Sequence, residues 1–214
     1  MEKKIEINKW YYFSYLCIAL IVINILTNHY LFSASFYHEQ LIEQMSAERI
    51  KDIITQSYKY EWFGYLITPL FLFIKIILIA ICLKIGLIFI DIKKSWSKVL
   101  NWIIKLETIF LVPSVIILLW FMFIRTDYTY SDLQFFYPLS LLNLFNPEEL
   151  NQLFVYPLRL VNVFELLYWL ALAKLFATET GKKFGKAFEF VMYTYGVGLL
   201  IWVVFVMFLT VNIS

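Results

Sequence analysis

The chain has 214 residues; 62% are hydrophobic, 20% aromatic and only 16% charged. Soluble domains carry about 25% charged residues, so a water-solvated globule of this length could not bury so much apolar surface, and a bilayer must solvate much of it. The net charge of +2 is small and the basic residues are dispersed, which argues against nucleic acid as a partner.

Five segments are long enough to cross a hydrocarbon core about 30 Å thick, which takes about 20 helical residues. They cover approximately residues 10–27, 65–90, 99–124, 157–177 and 187–211. Each is expected to be a helix, because backbone groups in lipid must be satisfied within their own segment. The opening run after MEKKIEINK lacks a convincing small-residue cleavage site and reads as an uncleaved first span. Between the first two spans, Leu41, Ile42, Met45, Ile50, Ile53 and Ile54 fall near one stripe within His38–Ser57, which predicts an amphipathic helix lying on the membrane surface or capping the bundle. Pro113 interrupts the third span and should kink it. The loop 131–156 is too apolar to float in water and should fold back into the interface. Within it, Asn146-Pro147-Glu148-Glu149 carries a helix-start pattern, and the short helix that follows should break at Pro157. Trp10, Trp62, Trp96 and Trp102 sit near span ends as an aromatic belt. The fold class is therefore an all-α integral membrane protein: one domain, a five-helix transmembrane bundle with an amphipathic outer-side helix and an interfacial loop.

Orientation follows from the lysines and arginines of the short loops. One side collects Lys3, Lys4 and Lys9, then Lys93, Lys94 and Lys98, then Lys182, Lys183 and Lys186. The other holds Arg49, Lys51, Lys59, Arg125 and Arg159, outnumbered by acids that include Glu39, Glu43, Glu61, Asp132, Glu148 and Glu149. The N-terminus is expected in the cytoplasm and the C-terminus outside.

Charges inside the spans are the candidate site residues. A charge at mid-bilayer costs about 2.5–3.5 kcal/mol on insertion scales and asks for a partner or a water path. Lys105 and Lys174 lie near the basic side and can snorkel. Lys75 is about 24 Å of helix from Asp91, and Glu165 about 20 Å from Thr178, so the two share a depth and are expected to pair or to share one polar pocket. Lys84 and Glu107 form a second possible pair nearer the basic side. His29 and His38 make a poor metal site, Cys17 and Cys82 read as buried apolar groups, and no nucleophile, metal or phosphate motif stands out; neither catalysis nor a cofactor is expected.

Three stretches, LSLLNLF at 139–145, VFELLYWLALAKLF at 163–176 and ETGKKFGKAFEFV at 179–191, resemble the Yip family of five-span membrane proteins, the Ypt/Rab-interacting type with many bacterial relatives. The resemblance covers about 75 residues and rests on loose apolar motifs. It implies a membrane-organising or partner-binding protein. The nine residues before the first span lack the family's Asp-Leu-Tyr-Gly-Pro arm, so Rab binding is not carried over. Abundant Ile, Lys and Phe suit a bacterium with an AT-rich genome, hence its cytoplasmic membrane. The expected partners are the lipid bilayer and other membrane proteins, possession of a small-molecule ligand being left open; the expected function is non-enzymatic partner binding, with an accessory subunit of a larger complex as one form of it. The alternative is a small transporter or channel using the Lys75/Glu165 pocket.

Overall fold

The computed structural model describes residues 9–42, 45–146 and 149–213. Lys3, Lys4, Glu43, Glu148 and the helix start at Pro147–Glu148 lie outside the described residues. Every regular element among the described residues is helical. The order is α1 (Lys9–Leu31), α2 (Ala34–Leu41), α3 (Ala47–Phe89), α4 (Trp96–Leu106), a 3-10 turn (Glu107–Phe110), α5 (Leu111–Phe123), α6 (Tyr130–Phe135), a second 3-10 turn (Leu141–Leu144), α7 (Gln152–Leu160), α8 (Val163–Thr180), α9 (Phe184–Val191), a π turn (Met192–Gly196) and α10 (Val197–Ile213).

Short polar side chains set many of the helix starts by accepting the orphan N–H groups of the first turn. Ser33, Ser46 and Ser95 accept from Phe36, Arg49 and Lys98. Thr129 and Asp132 cap each other's backbone in a reciprocal box at the start of α6. Gly181, at φ 68°, ends α8 in the left-handed conformation that a residue without Cβ adopts freely, and the chain turns back into α9.

Among the described residues, four helical stretches are long and apolar enough to cross a membrane: Lys9–Leu31, Ala47–Phe89, Trp96–Phe123 and Phe184–Asn212. The fourth predicted segment, 157–177, differs. It is divided into α7 and α8, and the 18 residues of α8 contain Glu165, Lys174 and Glu179. The four long stretches carry broad exposed apolar surface, including Ile18, Leu66, Phe71, Phe123, Leu200 and Phe208, all more than half exposed, as suits a helical membrane protein.

The interior is a continuous cluster built from α1, α3, α4, α5, α8, α9 and the π turn, with Ile76, Leu83, Ile103, Tyr168, Leu172 and Phe176 almost wholly enclosed. At one end of the bundle, Lys9 donates to Ser97 at 2.6 Å, Lys84 donates to the Lys94 carbonyl at 2.8 Å, and Glu179 receives Lys98 at 2.5 Å. This lysine-rich end gathers the start of α1, the α3–α4 turn and the α8–α9 turn. At the opposite end a smaller cluster joins Leu31, Leu118 and Phe121 to Tyr128 and Phe136.

Three expectations change. Residues 47–57 are the beginning of the 43-residue α3 and not a separate surface helix, because Ser46 caps a helix that runs on without a break; of the predicted stripe only Ile50 is buried. Trp102 is buried against Phe176, at 6.5 Å between rings, and belongs to the core instead of the belt. Pro157 lies inside α7, and the break falls four residues later, at Val161–Asn162.

Candidate functional site: a buried polar cluster

Two features hold that break: an antiparallel backbone bridge, in which Leu141 donates to the Val161 carbonyl and Val163 to the Leu139 carbonyl, and the Asn162 side chain. The Asn162 side-chain amide donates to the Arg159 and Leu160 carbonyls at the end of α7, at 2.9 and 3.1 Å. Its oxygen accepts the Glu165 N–H at 2.8 Å at the start of α8. One side chain thus closes two helix ends, and Pro157 need only forgo a single backbone bond. The consequence is positional. Glu165 stands in the first turn of α8, where the positive end of the helix favours a carboxylate, instead of in mid-helix.

Glu165 is 8% exposed, and its Oε1 accepts from the Trp169 indole at 2.9 Å and the Tyr195 hydroxyl at 2.6 Å. Tyr195 reaches it from the π turn, whose wider winding re-aims side chains relative to an α-helix. Gly196 makes room: a Cβ there would stand 2.7 Å from the Trp169 ring. Tyr168, with no exposed surface, lies between ring neighbours Phe110 at 5.1 Å and Tyr195 at 5.2 Å.

Lys75 pairs with Glu107, not with Glu165: its Nζ is 2.8 Å from Glu107 Oε2 and 3.8 Å from the centre of the Phe110 ring. Lys84, expected to meet Glu107, instead donates to the Lys94 carbonyl. Helix starts explain the exchange. The third membrane helix begins at Trp96, three residues earlier than the predicted 99, which lifts Glu107 to about 16 Å from its start. Lys75 is about 21 Å from the end of α3 at Phe89, within reach of its own flexible stem, whereas Lys84 is only about 8 Å away and finds the terminal turn instead.

Glu107 opens the 3-10 turn that separates α4 from α5. Pro113 is the third residue of α5 and has no N–H to donate to the carbonyl four residues earlier, Ile109, inside that turn. Glu107 is 3% exposed; its Oε1 and the Tyr168 hydroxyl meet no hydrogen-bond partner among the described residues. Two carboxylates, one ammonium, two phenols and an indole therefore share one interior region. Around it α4–α5, α7–α8 and α9–α10 each depart from α-helical winding.

Of the other charges, Lys105 lies 5.4 Å from the Tyr12 ring and Lys174 is exposed. His29 packs on Tyr30 at 4.9 Å, and among the described residues no three His, Cys, Asp or Glu side chains gather. Trp169, four residues after Glu165, was available to sequence reasoning as an i, i+4 neighbour. Tyr195, 30 residues away, was not, because the π turn that aims it has no composition signal. Comparison with protein-family models, curated proteins and solved structures yields no significant match.

Proposed function

We propose that the protein crosses the bacterial cytoplasmic membrane five times, with α8 as the fourth crossing and the lysine-rich end in the cytoplasm, and acts without catalysis by binding partner proteins at the opposite, outer end. The observation that carries this is the length of α3. Its 43 residues span about 64 Å, roughly twice the hydrocarbon thickness, so the Ala47–Gly64 part extends beyond the lipid. Only Ile50 is buried in that part, while Tyr58, Tyr60, Trp62 and Phe63 are each at least half exposed. Exposed aromatics of this kind suit a protein interface. The resemblance of the C-terminal half to the Yip family supports the same reading. Photo-crosslinking from positions 58 and 60 in native membranes tests it. A discrete protein adduct is expected from both positions, and Tyr60→Glu with Trp62→Glu should abolish the one formed from position 58; adducts with lipid alone would overturn it.

A second reading, a small transporter, has its own support in the three interrupted helices around the polar cluster, because discontinuous helices line ion and substrate sites in transporters. Labelling of Lys75→Cys in a background lacking Cys17 and Cys82 separates the two. Reaction with a membrane-impermeant thiol reagent from either face favours transport; protection from both faces favours the first reading.

A further inference from the structure

A cavity of about 630 Å³ lies at the lysine-rich end, between the last turns of α3 and the α9–π–α10 helix. Its wall is Cys82, Ile85, Phe89, Phe190, Val197 and Ile201, and Lys182 and Lys186 stand at its mouth. The wall is apolar and follows the helix direction: Cys82 lies about 10 Å inside the end of α3 at Phe89. A volume in this range is that of a ligand site. The chemistry of the two ends differs, oily within and cationic at the rim.

The rim has a second feature that favours an anion. Lys183 is the N-cap of α9 and provides no side-chain bond to the first turn, so the N–H groups at that helix start are left without a side-chain acceptor. Gly185, in the same turn, has open space on the side where a Cβ would project. A helix N-terminus with free N–H groups attracts phosphate, and here it continues through the π turn into α10. Glu189 also lines the cavity, but Lys186 neutralises it at 2.8 Å. Lys182 makes no ion pair among the described residues, so the rim keeps a positive balance.

We propose that this cavity holds one anionic phospholipid of the adjacent leaflet, its phosphate at Lys182 and the α9 start and an acyl chain along Ile85, Phe190 and Ile201. The inference rests on the membrane-spanning reading of α3 and α9–α10, and concerns a ligand that neither functional reading includes. A zwitterionic lipid would offer the same chain with no net charge for the rim. Selectivity for the headgroup is therefore the signature, and simple coating by lipid would not produce it.

The test uses the full chain in nanodiscs made from equal parts phosphatidylglycerol and phosphatidylcholine, then native mass spectrometry of the released protein. Wild type should retain one phosphatidylglycerol at least fivefold over phosphatidylcholine. Lys182→Gln with Lys186→Gln should abolish the preference. Ile85→Trp, at a half-exposed position that leaves the core untouched, should fill the cavity and reduce retention of both lipids. Lys59→Gln, at the other end of the bundle, should change nothing. Equal retention of the two lipids by wild type, or an unchanged preference in the double lysine variant, would overturn the site while leaving the membrane reading intact. Failure of the chain to enter nanodiscs at all would instead overturn the membrane reading beneath it.

Discussion

Lys75 on α3 and Glu107 on the turn between α4 and α5 meet at 2.8 Å, and the two partners are unequally enclosed: the glutamate side chain is 2% exposed and the lysine 42%. The lysine reaches in along the Phe110 ring to neutralise an acid that has no route out. Removing only the lysine strands the buried charge, a loss of about 3–5 kcal/mol for fully buried pairs and nearer the low end here because Lys75 is half-exposed. Lys75→Leu should lower thermal stability in detergent by that amount. Lys75→Leu with Glu107→Leu should recover most of it. A double variant no better than the single one would show that the pair matters less than the packing around it.

The Asn162 amide closes α7 and caps α8 together. Asn162→Ala removes one cap and strands the Arg159 carbonyl, while the Leu160 carbonyl keeps the backbone N–H of residue 162, and should cost about 2 kcal/mol, above the roughly 1 kcal/mol of an ordinary cap. Pro157→Ala should be close to neutral, since the helix already continues through that residue. Parallel unfolding curves for the two variants check the contrast; a larger loss at Pro157 would return the break to the proline.

Tyr195→Phe deletes the 2.6 Å bond to Glu165 and leaves the ring in place, at an expected cost of about 1.5–3 kcal/mol for a bond to a charged acceptor. Gly196→Ala would set a methyl 2.7 Å from Trp169 and displace the indole that also serves Glu165, costing about 1–3 kcal/mol. Because both act through one carboxylate, their effects should combine less than additively. Additive losses would mean that the glycine and the tyrosine support separate contacts.

Tyr128 lies outside the long helices, donating to the Leu31 carbonyl at 3.0 Å and stacking on Phe36 at 5.4 Å. Burial, with the Glu39 charge adding to it, pushes its phenol above the ordinary tyrosine range. A raised folded value means that the stabilisation is fully present below the unfolded tyrosine value, about 10, and fades as pH climbs through the higher folded one. Wild type should therefore lose stability at alkaline pH more steeply than Tyr128→Phe. Identical alkaline limbs would contradict this.

The membrane character was legible in composition alone, since apolar runs of 20 residues have few other uses. Hydropathy could not locate helix ends to within a turn, and that imprecision decided the charge partners: starting α4 at Trp96 moved Glu107 from the level of Lys84 toward that of Lys75. Proline drew the predicted break to position 157, although the neighbouring Asn162 held the hydrogen-bonding groups that make a break cheap. The π turn at 192–196 was invisible because no residue type signals an extra residue per turn, and with it went Tyr195. That charges in apolar helices need partners was readable from the sequence, whereas the pairing of Lys75 with Glu107 was not.

The proposed topology threads the polypeptide through a bilayer an odd number of times, with α8 among the crossings. Alkaline phosphatase and green fluorescent protein fused in turn to each end measure this most directly. Fluorescence only from the N-terminal fusion and phosphatase activity only from the C-terminal one is the expected result. Both ends reporting the same compartment would remove α8 from the membrane and contradict the account.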